Sequence, residues 1–158
     1  MIELSLVGVR VELPSNQPIV LMKESDGDRF LPIWIGAVEA TAIAFALQGI
    51  QTPRPMTHDL LRDILNEADV QVDQIIISDL VEQTFYATIH MSSNGRKVEV
   101  SSRPSDAIAL AVRINVPIFA AEEVLEQAGI ELKDDEEAEV EKFREFLDQV
   151  TPEDFAEQ

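Results

Sequence analysis

Apolar and polar residues alternate along the first stretch of the chain. Ile2, Leu4 and Leu6 stand against Glu3 and Ser5, and the row continues through Val7, Val9, Val11 and Leu13 with Arg10 and Glu12 on the polar side. A period of two predicts a long strand over residues 2–13. Pro14-Ser15-Asn16-Gln17-Pro18 breaks it as a loop, and Ile19 to Met22 predicts a short second strand. Asp26-Gly27-Asp28 then turns the chain into a third strand over Phe30 to Ile35, since Asp-Gly between apolar runs marks a hairpin. Trp34, between Ile33 and Ile35, reads as a core residue. From Gly36 the period changes. A helix runs to about Gln48 and stops at Gly49, almost wholly apolar, with Glu39 as its one charge. After the proline-stiffened linker Gln51–Met56, Thr57 suits an N-cap for a second helix. There Leu60, Leu61, Ile64, Leu65 and Ala68 form a buried stripe at helical spacing, with His58, Arg62 and Asn66 on the opposite side.

Three strands follow over Val70 to Val81, Thr84 to Met91 and Lys97 to Val100. Their turns are Glu82-Gln83 and Ser93-Asn94-Gly95, the second being the stronger hairpin signal. His90 lies between Ile89 and Met91 and reads as structural. The meander feeds into Ser102-Arg103-Pro104-Ser105-Asp106-Ala107-Ile108-Ala109-Leu110-Ala111. Pro104 suits a first helical turn, where its missing N–H costs nothing. Ala107 to Val112 carry no charge on any face, so this helix is expected to be buried on several sides. Asn115-Val116-Pro117 stops it, Ile118-Phe119 is a short strand, and Ala121 to Ala128 a short helix ending at Gly129. From Lys133 the chain becomes acidic, and Val140, Phe143, Phe146, Leu147 and Val150 mark one face of an amphipathic helix. The expected class is α+β, an antiparallel or mixed β-sheet packed with helices. A domain over 1–130 carries an acidic helical C-terminal tail over 131–158.

Charge changes the picture in one respect. The formal net charge is −18, but residues 1–119 hold 15 acids and 9 bases whereas residues 120–158 hold 15 acids and 3 bases. Most of the excess therefore sits in the last quarter, and a local positive site within the body is compatible with it. No basic stripe with interleaved aromatics marks a dedicated nucleic-acid surface. No apolar run reaches the roughly 18 residues of a membrane span. Met1-Ile2-Glu3-Leu4 has no basic leader, so a cytoplasmic location is expected. The absence of cysteine excludes disulfides and thiolate metal sites, leaving Asp, Glu, His58 and His90 for a hard ion such as magnesium, manganese or calcium.

The chemistry concentrates at helix starts. Glu39, Asp59 and Asp106 each fall in a first turn, Arg54 and Arg103 lie just upstream of two of them, and His58 sits beside Asp59. Unpaired N–H groups and the helix dipole make such ends anion sites. If two or three of them meet, the product is a pocket with phosphate donors, carboxylates and a base. Each feature also has a plain structural reading. A first-turn acid is stabilised by a few tenths to about 1 kcal/mol without any ligand. Arg103 is offset either by Asp106 or by a ligand, and His58 is either a surface histidine or a base. There is no glycine-rich phosphate loop, no histidine pair at metal spacing and no nucleophile elbow.

Leu31-Pro32-Ile33-Trp34-Ile35-Gly36, Glu39-Ala40, Pro53-Arg54-Pro55-Met56-Thr57-His58-Asp59-Leu60 and the stretch Ser102 to Ala111, in that order and spacing, resemble the bifunctional nuclease family over about residues 1–130. The resemblance implies hydrolysis of phosphodiester bonds in DNA and RNA. Hydrolysis of this kind needs activated water and cations at the phosphate. On that reading Asp106, His58 and Glu39 are catalytic. Asp106 and Glu39 hold magnesium or manganese with Asp59 as an alternate, and His58 is general base or acid. Arg103 and Arg54 hold phosphate, and Ser105 donates a hydrogen bond to it. The expected partners are nucleic acid and a second copy of the chain, paired through strand edges as a homodimer. The rival reading is a non-catalytic oligomeric module that binds a small anion or a partner protein, its tail docking on its own domain, a second copy or that partner.

Overall fold

The structure, a computed structural model, describes residues 1–12 and 16–131; the acidic tail from residue 132 onward lies outside them. The elements run β1 (Ile2–Glu12), β2 (Gln17–Glu24), β3 (Arg29–Trp34), α1 (Ala37–Leu47), α2 (Thr57–Glu67), β4 (Gln71–Val81), β5 (Thr84–Ser93), β6 (Arg96–Ser102), α3 (Pro104–Ile114), β7 (Ile118–Ala120), α4 (Glu122–Ala128) and β8 (Ile130–Glu131). The α+β class holds, and the sheet is mixed. Among the described residues no helix is long and apolar enough to cross a membrane.

The eight strands form one sheet in the order β6-β5-β4-β7-β1-β2-β3-β8. It consists of two meanders joined by the short β7. Ile118–Ala120 runs antiparallel to Ile2–Leu4 on one side and parallel to Ile75–Ile77 on the other. Ile75, Ile77 and Ala120 are fully buried there, so three residues are enough to close the seam. Both hairpins of the second meander turn on two left-handed residues, Glu82-Gln83 and Asn94-Gly95. These are the turns whose twist matches the flanking strands. The first does it without glycine, which is why its signal is weaker in the sequence.

Helix α3 lies at the centre, packed against α1, α2, β4 and β5. Pro104, Ser105 and Ala107 to Ala111 are all buried, as the uncharged run predicts. Its small alanines let α1 approach closely, and Ile43, Ile108 and Leu110 fill the core between helices and sheet.

Three expectations are corrected. Trp34 is 56% exposed, not core. Strand alternation decides this: Ile33 points in, so its neighbour points out. Helix α2 shows a different face from the one expected. Leu60 and Ile64 are exposed, whereas His58 is only 6% exposed. Positions 58, 61, 62 and 65 are also a helical set, and Leu61 and Leu65 belong to both faces; polar bonds from His58 and Asp59 select this one. The N-cap of α2 is Met56, one residue before Thr57. The pair β3–β8, Arg29 with Glu131 and Phe30 with Ile130, was not foreseen.

Candidate functional site at the start of the central helix

Each of the first three helices brings its first turn to one place. At α1, Gly36 is the N-cap, and a Cβ there would collide with the Glu39 carboxylate, which folds back over it. At α2, the Met56 N–H donates to Asp59 Oδ2 at 3.1 Å, fixing the turn that presents His58. At α3, Arg103 is the extended N-cap and Pro104 the first helical residue.

The side chains form one continuous chain of charge. His58 Nε2 lies 2.9 Å from Asp106 Oδ1. Arg103 Nε donates to Asp106 Oδ2 at 2.8 Å, and its Nη2 donates to Glu39 Oε1 at 2.7 Å. Burial pushes the Asp106 carboxyl up, but the bonds from His58 and Arg103 outweigh it and its pKa lies below the usual value. Asp106 is therefore ionised near neutral pH and can only accept, so His58 Nε2 carries the hydrogen and Nδ1 is the basic nitrogen when the ring is neutral. The bonds to Asp106 and Glu39 push the Arg103 pKa up. Arg103 itself is 66% exposed, and its Nη1 has no partner among the described residues. The main-chain N–H groups of Ser105 and Asp106 lie in the first turn, with no intrahelical acceptor. Both readings of Arg103 thus keep force: it pairs with Asp106, and it also keeps donors for a ligand.

Glu39, His58, Arg103 and Asp106 are brought together; Asp59 and Arg54 are not. Asp59 turns away to Arg113, whose Nε donates to its Oδ1 at 2.7 Å. Burial pushes the Asp59 carboxyl up, and the bonds from Arg113 and the Met56 N–H bring it below its usual pKa. Arg54 lies exposed on the linker, where its carbonyl accepts from Thr52 Oγ1. Ser105 is buried at the mouth of a groove of about 580 Å³ that Arg103, Trp34, Leu80 and Phe85 also line. Trp34 escaped the sequence reading because the unbroken apolar run from Phe30 to Ile35 hides its alternation. Arg113 escaped it too, although a lone cation closing an otherwise apolar helix is a signal. His90 stands apart on β5, with Nδ1 3.4 Å from Glu99.

The donor set does not suit a divalent ion in this arrangement. Glu39 and Asp106 are joined through a guanidinium, and both Asp106 oxygens are engaged. Among the described residues no group of three or more Asp, Glu or His is placed to hold a metal. The cluster can orient an imidazole, present a guanidinium to an anion and add helix-start N–H groups beside it.

Comparison with known proteins shows the family of the chain. Residues 20–133 match the bifunctional nuclease domain. The chain is 51% identical to an uncharacterized protein of Mycobacterium tuberculosis, over 97% of each chain. It is 30% identical to bifunctional nuclease 2 of Arabidopsis thaliana, covering 67% of this chain and 34% of that one. With bifunctional nuclease 1 of Oryza sativa subsp. indica the identity is 27%, covering 74% of this chain and 36% of the other. The chain therefore spans about a third of the plant nucleases it matches.

Proposed function

Because the chain belongs to the bifunctional nuclease domain family, we propose that the cluster at the start of α3 hydrolyses phosphodiester bonds of DNA and RNA. The observation that carries this reading is the bond from His58 Nε2 to Asp106 while Arg103 bridges Asp106 and Glu39. In the proposed reaction the phosphate lies against Arg103 Nη1, the Ser105 hydroxyl and the open N–H groups of α3. A guanidinium fork matches phosphate oxygens, and these donors offset the charge that grows on them as water attacks. His58 Nδ1 takes the proton from that water, and Asp106 holds the ring and the imidazolium that forms, while the P–O bond to the leaving sugar oxygen breaks and that oxygen takes a proton from solvent. Glu39 holds Arg103 in register. Arg54, exposed beside the linker, is proposed as a more distant phosphate contact.

The proposed reaction draws on the chain's own residues alone. A magnesium or manganese requirement would mean that Arg103 gives way between Glu39 and Asp106, with Asp59 too far engaged to help. Titration of the purified chain with either ion during cleavage tests this directly.

Asp106→Asn keeps the shape and removes the charge. It is expected to lower cleavage of both DNA and RNA by about a hundred-fold or more. Unchanged cleavage, with contaminating nuclease excluded by a mock purification, would overturn the assignment.

One observation favours the rival reading of a non-catalytic oligomeric module. Leu60 and Ile64 leave an apolar face of α2 in solvent, where a second copy or a partner protein would cover it. A thermal-shift screen separates the two. Stabilisation by an oligonucleotide supports the nuclease, whereas sedimentation as a dimer with no response to oligonucleotide supports the module. We place the activity in the cytoplasm, in keeping with a sequence free of cysteine.

A further inference from the structure

The geometry points to a nucleobase-binding subsite in the groove beside α3, with Trp34 as its stacking platform and Phe85 and Leu80 as its apolar wall. It rests on the proposed phosphate position at Arg103 and Ser105, and adds the part of the substrate next to that phosphate.

Three observations converge. The groove encloses about 580 Å³, within the range of small-ligand sites. Trp34 stands in it with more than half its surface in water, although Ile33 beside it is buried. An indole left in this way gains from a flat aromatic ligand that covers it. Ser105 is only 6% exposed, and its hydroxyl has no hydrogen-bond partner among the described residues. Among those residues no enclosed side-chain oxygen or nitrogen lacks a partner, so the hydroxyl must open on the groove it lines. A hydroxyl open to the groove on an otherwise buried residue, a guanidinium with a spare nitrogen and an aromatic face therefore border one cavity. Gln83, at the β4–β5 turn, lines the same groove and supplies an amide for a base edge.

That combination selects a base with its phosphate over a simple anion. An anion alone would use Arg103 and Ser105 and leave the indole uncovered. Two other grooves of comparable size among the described residues hold no aromatic side chain. A duplex keeps its bases stacked, whereas a free nucleotide or a single strand offers one to Trp34 without that cost. The formal charge of −18 also disfavours a long polyanion track.

Trp34 is the chain's only tryptophan, so its fluorescence reports this subsite alone. The full chain is titrated with adenosine 5′-monophosphate, ribose 5-phosphate and a deoxyadenylate tetranucleotide. The base-bearing ligands are expected to quench the emission saturably, and ribose 5-phosphate to leave it unchanged. A tetranucleotide bound about ten-fold tighter than the monophosphate identifies a single strand as the source, and equal affinity identifies a free nucleotide. By calorimetry, Trp34→Ala is expected to weaken adenosine monophosphate about ten-fold and Trp34→Phe to restore most of it. Because Trp34 is exposed, neither variant threatens the fold. Absence of quenching by both base-bearing ligands, or equal quenching by ribose 5-phosphate, overturns the subsite. Quenching together with full cleavage by Asp106→Asn would keep the subsite and remove the hydrolytic reading. Lost cleavage in that variant with no ligand response at Trp34 would do the reverse.

Discussion

Helix α3 carries an arginine at each end, and the two live in opposite surroundings. Arg113 is 5% exposed and Arg103 66%. Arg113 spends Nε on Asp59, Nη1 on the Ala109 carbonyl and Nη2 on the Ala42 carbonyl. It therefore ties α1, α2 and α3 together. Arg103 also joins elements, Glu39 of α1 to Asp106 of α3, but keeps one nitrogen and faces a groove. The same residue type on one helix thus has all its nitrogens engaged at one end and keeps a spare one at the other. Burial and the number of occupied nitrogens separate the two roles. The two ends are also linked. Arg113 holds Asp59, Asp59 holds the Met56 N–H, and that turn presents His58 to Asp106.

Removing each arginine in turn separates the two ends most strongly. Arg113→Ala leaves Asp59 and two helix carbonyls without their buried donor. It should cost about 3–5 kcal/mol in denaturant unfolding. Arg103→Ala should cost less than about 1 kcal/mol, since an exposed ion pair contributes little, yet lower cleavage by about a hundred-fold. If Arg103→Ala unfolds the chain as readily as Arg113→Ala, the division of roles is wrong.

Acid acts on the carboxylate partners of the two arginines. Asp59 and Asp106 both have folded pKa values below their usual ones, so each contributes stability that is present above the unfolded value of about 3.9 and lost as pH falls through the folded value. Asp59→Asn and Asp106→Asn should each flatten the loss of stability below about pH 4. A melting-temperature series over that range checks it, and unaltered acid slopes would contradict the ion-pair accounts.

The smallest effect is expected on α2. Ile64→Lys should change stability by less than about 0.5 kcal/mol, because its side chain already meets water. A cost well above that, with loss of a dimer in sedimentation, would show that a second copy covers this face.

The sequence carried the architecture further than the site. Residues 104–112 announce a buried helix, and the two meanders follow from their turns. What it could not carry was orientation. Leu61 and Leu65 fit either face of α2, and only His58 and Asp59 finding Asp106 and Arg113 across the fold decides between them. The sequence puts Glu39, His58, Arg103 and Asp106 at three helix ends, and only the packing of α1 and α2 on α3 brings them together. Asp59 looked equivalent to Asp106 because both are first-turn acids, and an arginine from 54 residues away separates them.

The proposed hydrolysis rests on His58 and Asp106 working as one unit at the open end of α3. The direct measurement is a double-mutant cycle on oligonucleotide cleavage with His58→Ala, Asp106→Asn and both together. The double variant is predicted to lose little more activity than the worse single variant, since each removes the same proton transfer. Losses that multiply, or single variants that cleave as the parent does, would contradict it.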